Sequence, residues 1–217
     1  MKIRLIILLS FTFGLLAQQA CNTKTETIPF YKLSEEFKSY CLFQEGSTWE
    51  YQSSLLTQTE TVEVSTVQDH IWTNTYLEDY NYEAVDMFIA YNDIGISMIE
   101  LTAGSTLNAT SSMNAQMWMF FDDGEYRLMF APEYPLGEEQ LLGEHEGYYT
   151  NLEVLPTMTV GDNTYSDVWH TQVIDHFEQG FGDYDFYFAK YHGLVKMQNI
   201  VNSDTIIMQL VNSSLIQ

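Results

Sequence analysis

The sequence predicts a mainly β fold: a single antiparallel meander forming a curved sheet, half-barrel, barrel or sandwich, with one short helix near its start. Three observations carry this. Apolar and polar residues alternate over strand-length stretches, turn-forming residues punctuate those stretches, and the connections are too short for parallel crossovers.

The alternation is plain at Val62 and Val64, which alternate with Thr61, Glu63 and Ser65. It recurs at Tyr126, Leu128 and Phe130, interleaved with Glu125, Arg127 and Met129. A period of two predicts one buried and one exposed face for each strand. Asp122-Asp123-Gly124 separates the apolar run Met117–Phe121 from the Tyr126 strand, a hairpin signal because Asp-Gly suits a tight turn. Gly161-Asp162-Asn163 and Asn202-Ser203-Asp204 divide two further strand pairs. Pro132 and Pro135 mark a break between two groups of strands, since proline cannot donate to a sheet ladder. The one helix expected lies over Ser34–Cys41, with Ser34 as cap and Glu35 and Glu36 in the first turn. About ten strands must close, curl or stack, and the aromatic stretch Phe186, Tyr187, Phe188 and Tyr191 suits a strongly curved sheet with large side chains on its concave side.

Residues 1–20 read as a signal peptide: Lys2 and Arg4 precede the apolar run Leu5–Leu16, which is too short to span a bilayer. Ala20-Cys21 is then a lipoprotein cleavage site, with Cys21 as the lipidation residue. The position three before the cysteine holds Gln18 rather than an aliphatic residue, so cleavage after Ala17 or Ala20 without lipidation is the alternative. Residues 21–27 are polar and aperiodic, as a tether should be, and residues 28–217 form the predicted β domain. Cys41 reads as a buried apolar residue; its rival role is a disulfide with Cys21 in an unlipidated, secreted form.

Loss of residues 1–20 removes Lys2 and Arg4 and no acid, taking the formal net charge from −22 to −24. A field this negative repels polyanions, so nucleic acid is not an expected partner. With 46% hydrophobic and 15% aromatic residues the chain is composed to fold rather than stay disordered.

Three segments occur in order along the chain: Glu45-Gly46-Ser47-Thr48-Trp49-Glu50-Tyr51, Val160-Gly161-Asp162-Asn163-Thr164-Tyr165-Ser166-Asp167-Val168-Trp169, and Tyr187-Phe188-Ala189-Lys190-Tyr191-His192-Gly193-Leu194-Val195-Lys196. Together they resemble a group of uncharacterised lipoproteins of the Bacteroidetes, with G-x-x-W-x-Y and Y-[FY]-A-K-x-x-G-L-V-K motifs. The resemblance implies export and an all-β fold, and carries no catalytic positions. In the last motif Gly193 supplies the turn and Leu194-Val195 the return strand. Lys190 and Lys196 flank that turn and read as solvated partners of nearby acids.

No catalytic residue, metal site or cofactor is expected. His70, His145, His170, His176 and His192 lack the i, i+4 spacing of helical zinc sites, and Glu144-His145-Glu146 is the densest cluster. Asp122-Asp123-Gly124, Asp162-Asn163 and Asp183-Tyr184-Asp185 place oxygen ligands in glycine-containing loops, but none has the calcium-loop pattern, and such acids serve turns. Trp49, Trp72, Trp118 and Trp169 read as core rather than as sugar platforms.

The leading expectation is therefore a non-enzymatic cell-envelope lipoprotein, anchored to a bacterial membrane on its periplasmic or surface face, that binds or supports an envelope partner. The alternative is a carrier holding a hydrophobic ligand or lipid in a β half-barrel, for which Met113, Met117, Met119 and Met129 would form an adaptable apolar wall. A glycan hydrolase ranks last. Intact mass spectrometry of protein expressed in a bacterial host should show a chain beginning at Cys21 with a lipid mass that Cys21→Ala loses. An unmodified wild-type chain would eliminate the anchor.

Overall fold

The computed structural model describes residues 28–54, 58–75, 79–90, 95–104, 114–122, 124, 126–143, 147–174, 182–201 and 204–217. Cys21 and the segment before it lie outside the described residues, as do Met113, His145 and His176. In chain order the elements are β1 (Phe30–Tyr31), α1 (Glu35–Cys41), β2 (Thr48–Ser53), β3 (Thr59–Asn74), β4 (Tyr80–Ile89), β5 (Ile96–Thr102) and β6 (Gln116–Phe121). There follow β7 (Tyr126–Phe130), β8 (Glu139–Gly143), β9 (Gly147–Val160), β10 (Asn163–Ile174), β11 (Asp183–Ala189), β12 (Gly193–Val201) and β13 (Asp204–Ser214).

These strands make one sheet in the order β7-β6-β5-β4-β3-β2-β13-β12-β11-β10-β9-β8, with β1 in parallel beside the start of β4. Every pairing along that path is antiparallel, as short connections require. The expected hairpins join β6 to β7, β9 to β10, β11 to β12 and β12 to β13. Gly193 is required at its turn twice over: its φ is +76°, and a Cβ there would meet the Phe43 ring at 3.1 Å. Pro132 and Pro135 fall in the link from β7 to β8, where the path jumps from one end of the sheet to the other.

Helix α1 begins as its sequence dictates, with the Ser34 hydroxyl accepting from the Phe37 N–H at 3.1 Å. Its buried face is Phe37, Tyr40 and Cys41. Phe37 stacks on Phe130 at the end of β7, with ring centroids 5.8 Å apart, and Phe130 in turn stacks on Phe188 of β11 at 5.0 Å. Across the helix, Lys38 pairs with Glu83 of β4 at 2.7 Å, and Lys190 pairs with Glu36 at the same distance. The helix thus caps one end of the space inside the curled sheet.

The sheet is not closed by strand pairing. Its end strand β7 meets the concave face of β9 and β10, where side chains take the place of a ladder. The Thr171 hydroxyl donates to the Met129 carbonyl at 2.8 Å, and the Ala131 N–H donates to the Tyr149 hydroxyl at 2.8 Å. Asn151 Nδ2 donates to the Ala131 and Tyr134 carbonyls at 2.9 and 2.8 Å, and Tyr149 donates to Asn151 Oδ1. The result is a scroll whose ends overlap. Strand β7 departs from its expected half-burial for this reason: Leu128, Met129 and Phe130 are all 0% exposed, because β7 is covered on both faces. Trp118, on the outward face of β6, is 1% exposed, and its Nε1 donates to Gln116, which donates to the hydroxyl of Tyr134 beside the Tyr149 ring.

This closure concentrates buried hydrogen bonds on one side chain. Asn151→Ala leaves two buried carbonyls and the Tyr149 hydroxyl without their partner, and should lower stability by about 2–4 kcal/mol in urea unfolding. An effect below about 0.5 kcal/mol would show that the overlap is not held there.

Candidate functional site

Inside the scroll lies a cavity of about 230 Å³. Its walls come from α1 and its flank (Tyr40, Cys41, Phe43), and from strands right around the sheet, including Trp49, Tyr51, Val62, Ile99 and Phe186. Met87, Met117, Met119, Met129, Met197 and Met208 line it, six of the ten methionines of the chain. Each reaches it by strand alternation: Met117 and Met119 point inward from β6 while Trp118 between them points outward. Unbranched thioether side chains make an adaptable, polarisable lining.

At the helix end the polar atoms of the lining are already satisfied. Trp49 Nε1 donates to the His192 carbonyl at 2.9 Å, Tyr51 donates to the Leu194 carbonyl at 2.8 Å, and the Cys41 thiol contacts the Phe37 carbonyl at 3.1 Å. Burial pushes the Cys41 thiol and the Tyr51 phenol far up, so neither ionises near neutral pH. Cys41 is free and buried, as the sequence suggests. At the other end the lining turns polar: Arg127 near the start of β7, Tyr184 near the start of β11 and Asn199 near the end of β12 all reach the cavity. The buried Asn199 Oδ1 finds no hydrogen-bond partner among the described residues.

The outer face carries two polar rows that sequence spacing did not disclose. On β10, His170 Nε2 lies 3.1 Å from Asp185 and Nδ1 3.4 Å from Glu153, with its ring stacked on Tyr187 at 4.2 Å. These residues come from three adjacent strands, a proximity that only the register creates. On the first half of the sheet, His70 Nε2 is 3.0 Å from Asp86, whose cross-strand neighbour on β5 is Glu100. Burial raises the Glu100 carboxyl to about 7, with the Asp86 charge adding to the shift. Burial also raises Asp86, and His70 opposes that shift. No group of three or more His, Cys, Asp or Glu side chains among the described residues is arranged to hold a metal ion.

Several expectations are corrected in place. Asp183 and Asp185 belong to β11 rather than to a loop, because the strand starts directly after Gly182. Trp49 and Trp118 are core and Trp169 packs on Phe130, but Trp72 is 49% exposed, on the part of β3 that runs beyond β2. Phe186 and Phe188 fill the inside of the curl, while Tyr187 faces outward under Lys196, 5.0 Å from its ring centre, and Tyr191 is exposed.

No protein-family model matches the chain, and no curated protein matches it in sequence. Among solved structures, a "putative lipoprotein" from Parabacteroides distasonis is similar at 11% identity and a TM-score of 0.35, over 80% of this chain and 99% of that one. A DUF1329 family protein from Desulfovibrio piger is similar at 9% identity and a TM-score of 0.23, over 79% and 84%. A "putative outer membrane lipoprotein-sorting protein domain" from Vibrio parahaemolyticus is similar at 7% and 0.16, over 78% and 84%. At these identities and scores the likenesses carry no argument about ligand or activity. Among the described residues no helix is long and apolar enough to cross a membrane.

The Glu100 environment gives a pH dependence with a defined sign. The folded carboxyl holds a proton up to about pH 7 that the unfolded chain releases near 4.5, so its contribution to stability is lost as pH rises through that window. Glu100→Gln should therefore gain about 1–3 kcal/mol over wild type above pH 7, and nothing below pH 4.5, in paired thermal melts. Parallel pH profiles for the two proteins would contradict this.

Proposed function

We propose that the chain is a non-enzymatic cell-envelope lipoprotein, anchored through Cys21, whose scrolled β domain holds a hydrophobic ligand in its methionine-lined cavity. The observation that carries this is the cavity itself. Protein interiors are close-packed, with few voids larger than a water molecule. An apolar-lined space of 230 Å³ forgoes, at a cost in stability, the dispersion contacts that a filled core would make. Water filling it would find few hydrogen-bond partners among the six methionines. An apolar ligand removes that cost.

Size restricts what enters. The space exceeds the ~150 Å³ that admits benzene but falls short of the ~300–1,000 Å³ of sites for drug-sized ligands, so a slender group suits it better than a ring system. The cavity favours the carrier alternative over the binding or scaffold role that the sequence puts first. Anchoring rests on the signal-peptide pattern and on Cys21, which also bring the domain to the compartment where envelope lipids are handled.

The test is displacement of a fluorescent apolar probe such as N-phenyl-1-naphthylamine, compared between wild type and Met119→Trp. The account expects wild type to bind, and the filled-cavity variant to bind at least ten-fold more weakly at an unchanged or higher melting temperature. Equal binding by the two proteins would place the probe elsewhere.

A further inference from the structure

We infer that the sheet end bearing Ile28, Phe30, Ile71 and Trp72 docks into the surface of the bilayer that holds the Cys21 anchor. This rests on the anchoring proposed above and is independent of what fills the cavity.

Three observations converge. The first is exposure. Ile28, Phe30, Ile71 and Trp72 all lie in solvent, Ile71 the most at 69%. Register brings them together. Phe30 of β1 pairs with Asn81 from one side of β4, and Thr73 of β3, next to Trp72, pairs with the same residue from the other. Neighbouring strands lie about 5 Å apart, so β1 and β3 stand roughly 10 Å from each other across β4. Ile71 and Trp72 lie beyond the reach of β2, which pairs with β3 only as far as Glu63, and the ladder between β4 and β5 begins at Ala84. The end of the β3–β4 pair thus projects past β2 and the β5 ladder with large apolar side chains on it, an arrangement that marks a contact surface.

The second is where the chain enters the fold. The Asn81 N–H donates to the Pro29 carbonyl at 2.8 Å, so Ile28 arrives at this same end. Cys21 precedes Ile28 by seven residues, which span at most ~25 Å fully extended and ~15 Å as a flexible coil. A lipid on Cys21 therefore keeps this end of the sheet beside the bilayer.

The third is that the apolar side chains stand on both faces. Strand alternation sends Phe30 and Ile71, in the rows of Asn81 and Glu83, to one face, and Trp72, in the row of Tyr82, to the other. A rigid partner covers one face of a sheet, whereas a fluid interface closes round both. Tryptophan is among the side chains that favour the membrane–water boundary. Lys32 Nζ lies 5.5 Å from the centre of the Phe30 ring, and its long stem can rest on apolar surface while the charge stays among headgroups. A chain of net charge −22 is not drawn to anionic lipid, so the attraction here is apolar.

The lipidated chain, purified from a bacterial host and verified by intact mass, is reconstituted into phosphatidylcholine vesicles whose acyl chains are plain or brominated. Bromine quenches tryptophan only on near contact, and the difference between wild type and Trp72→Phe isolates the Trp72 emission. That emission should fall at least two-fold in brominated vesicles, equally at low and high salt. Phe30→Ser combined with Ile71→Ser should remove most of the quenching. Equal Trp72 emission in plain and brominated vesicles overturns the docking, while the anchor, shown by the mass, stands; self-association of the lipidated chain that Trp72→Phe weakens would then give the patch to a second copy. Quenching that the double serine variant leaves intact reflects tethering alone and also overturns it. A wild-type chain without lipid removes the anchor and this inference with it, and leaves the cavity reading in place. Should the double variant not fold, the comparison of plain with brominated vesicles on wild type and Trp72→Phe decides alone.

Discussion

Everything inside this scroll depends on how the edge of β7 is satisfied. A sheet that ends on an open strand presents unpaired N–H and C=O groups, and burying them without partners is costly. Here Tyr149, Asn151 and Thr171, all on the concave face of β9 and β10, supply those partners to Met129, Ala131 and Tyr134. A side-chain contact of this kind needs no register with a neighbouring strand. It lets the sheet overlap itself instead of closing edge to edge, and the overlap buries the outward faces of β6 and β7 as well as their inward ones.

The overlap sets the interior. Because the far end of the sheet lies outside β7, the curl is tight enough for residues on β4, β6, β7, β12 and β13 to face one another. At one end the aromatic stack of Phe37, Phe130 and Phe188 fills the space under α1. Beyond that stack the filling stops, and six methionines join aromatic side chains such as Phe43, Trp49 and Phe186 around the cavity, the thioethers supplying the adaptable part of its wall.

Local features of this design are readable in the sequence because they are local in physics. Ser34 marks the helix start, Asp122 to Gly124 and Gly161 to Asn163 mark hairpins, and Met117, Met119 and Met129 announce an apolar wall because they lie close together in the chain. Met87, Met197 and Met208 escape notice because strand order alone brings them to the same space. The His170, Glu153 and Asp185 row is hidden for the same reason. The double burial of Leu128 contradicts the alternation of its own strand, since overlap is a property of the whole sheet and not of five residues.

The central claim is that closure of the scroll creates a site for an apolar chain. Its most direct test is a crystal structure grown with octanoate brominated at its terminal carbon, read by the anomalous signal of bromine. The account predicts one bromine peak inside the methionine-lined cavity. Bromine confined to the protein surface, with the methionines repacked into a filled core, would contradict it.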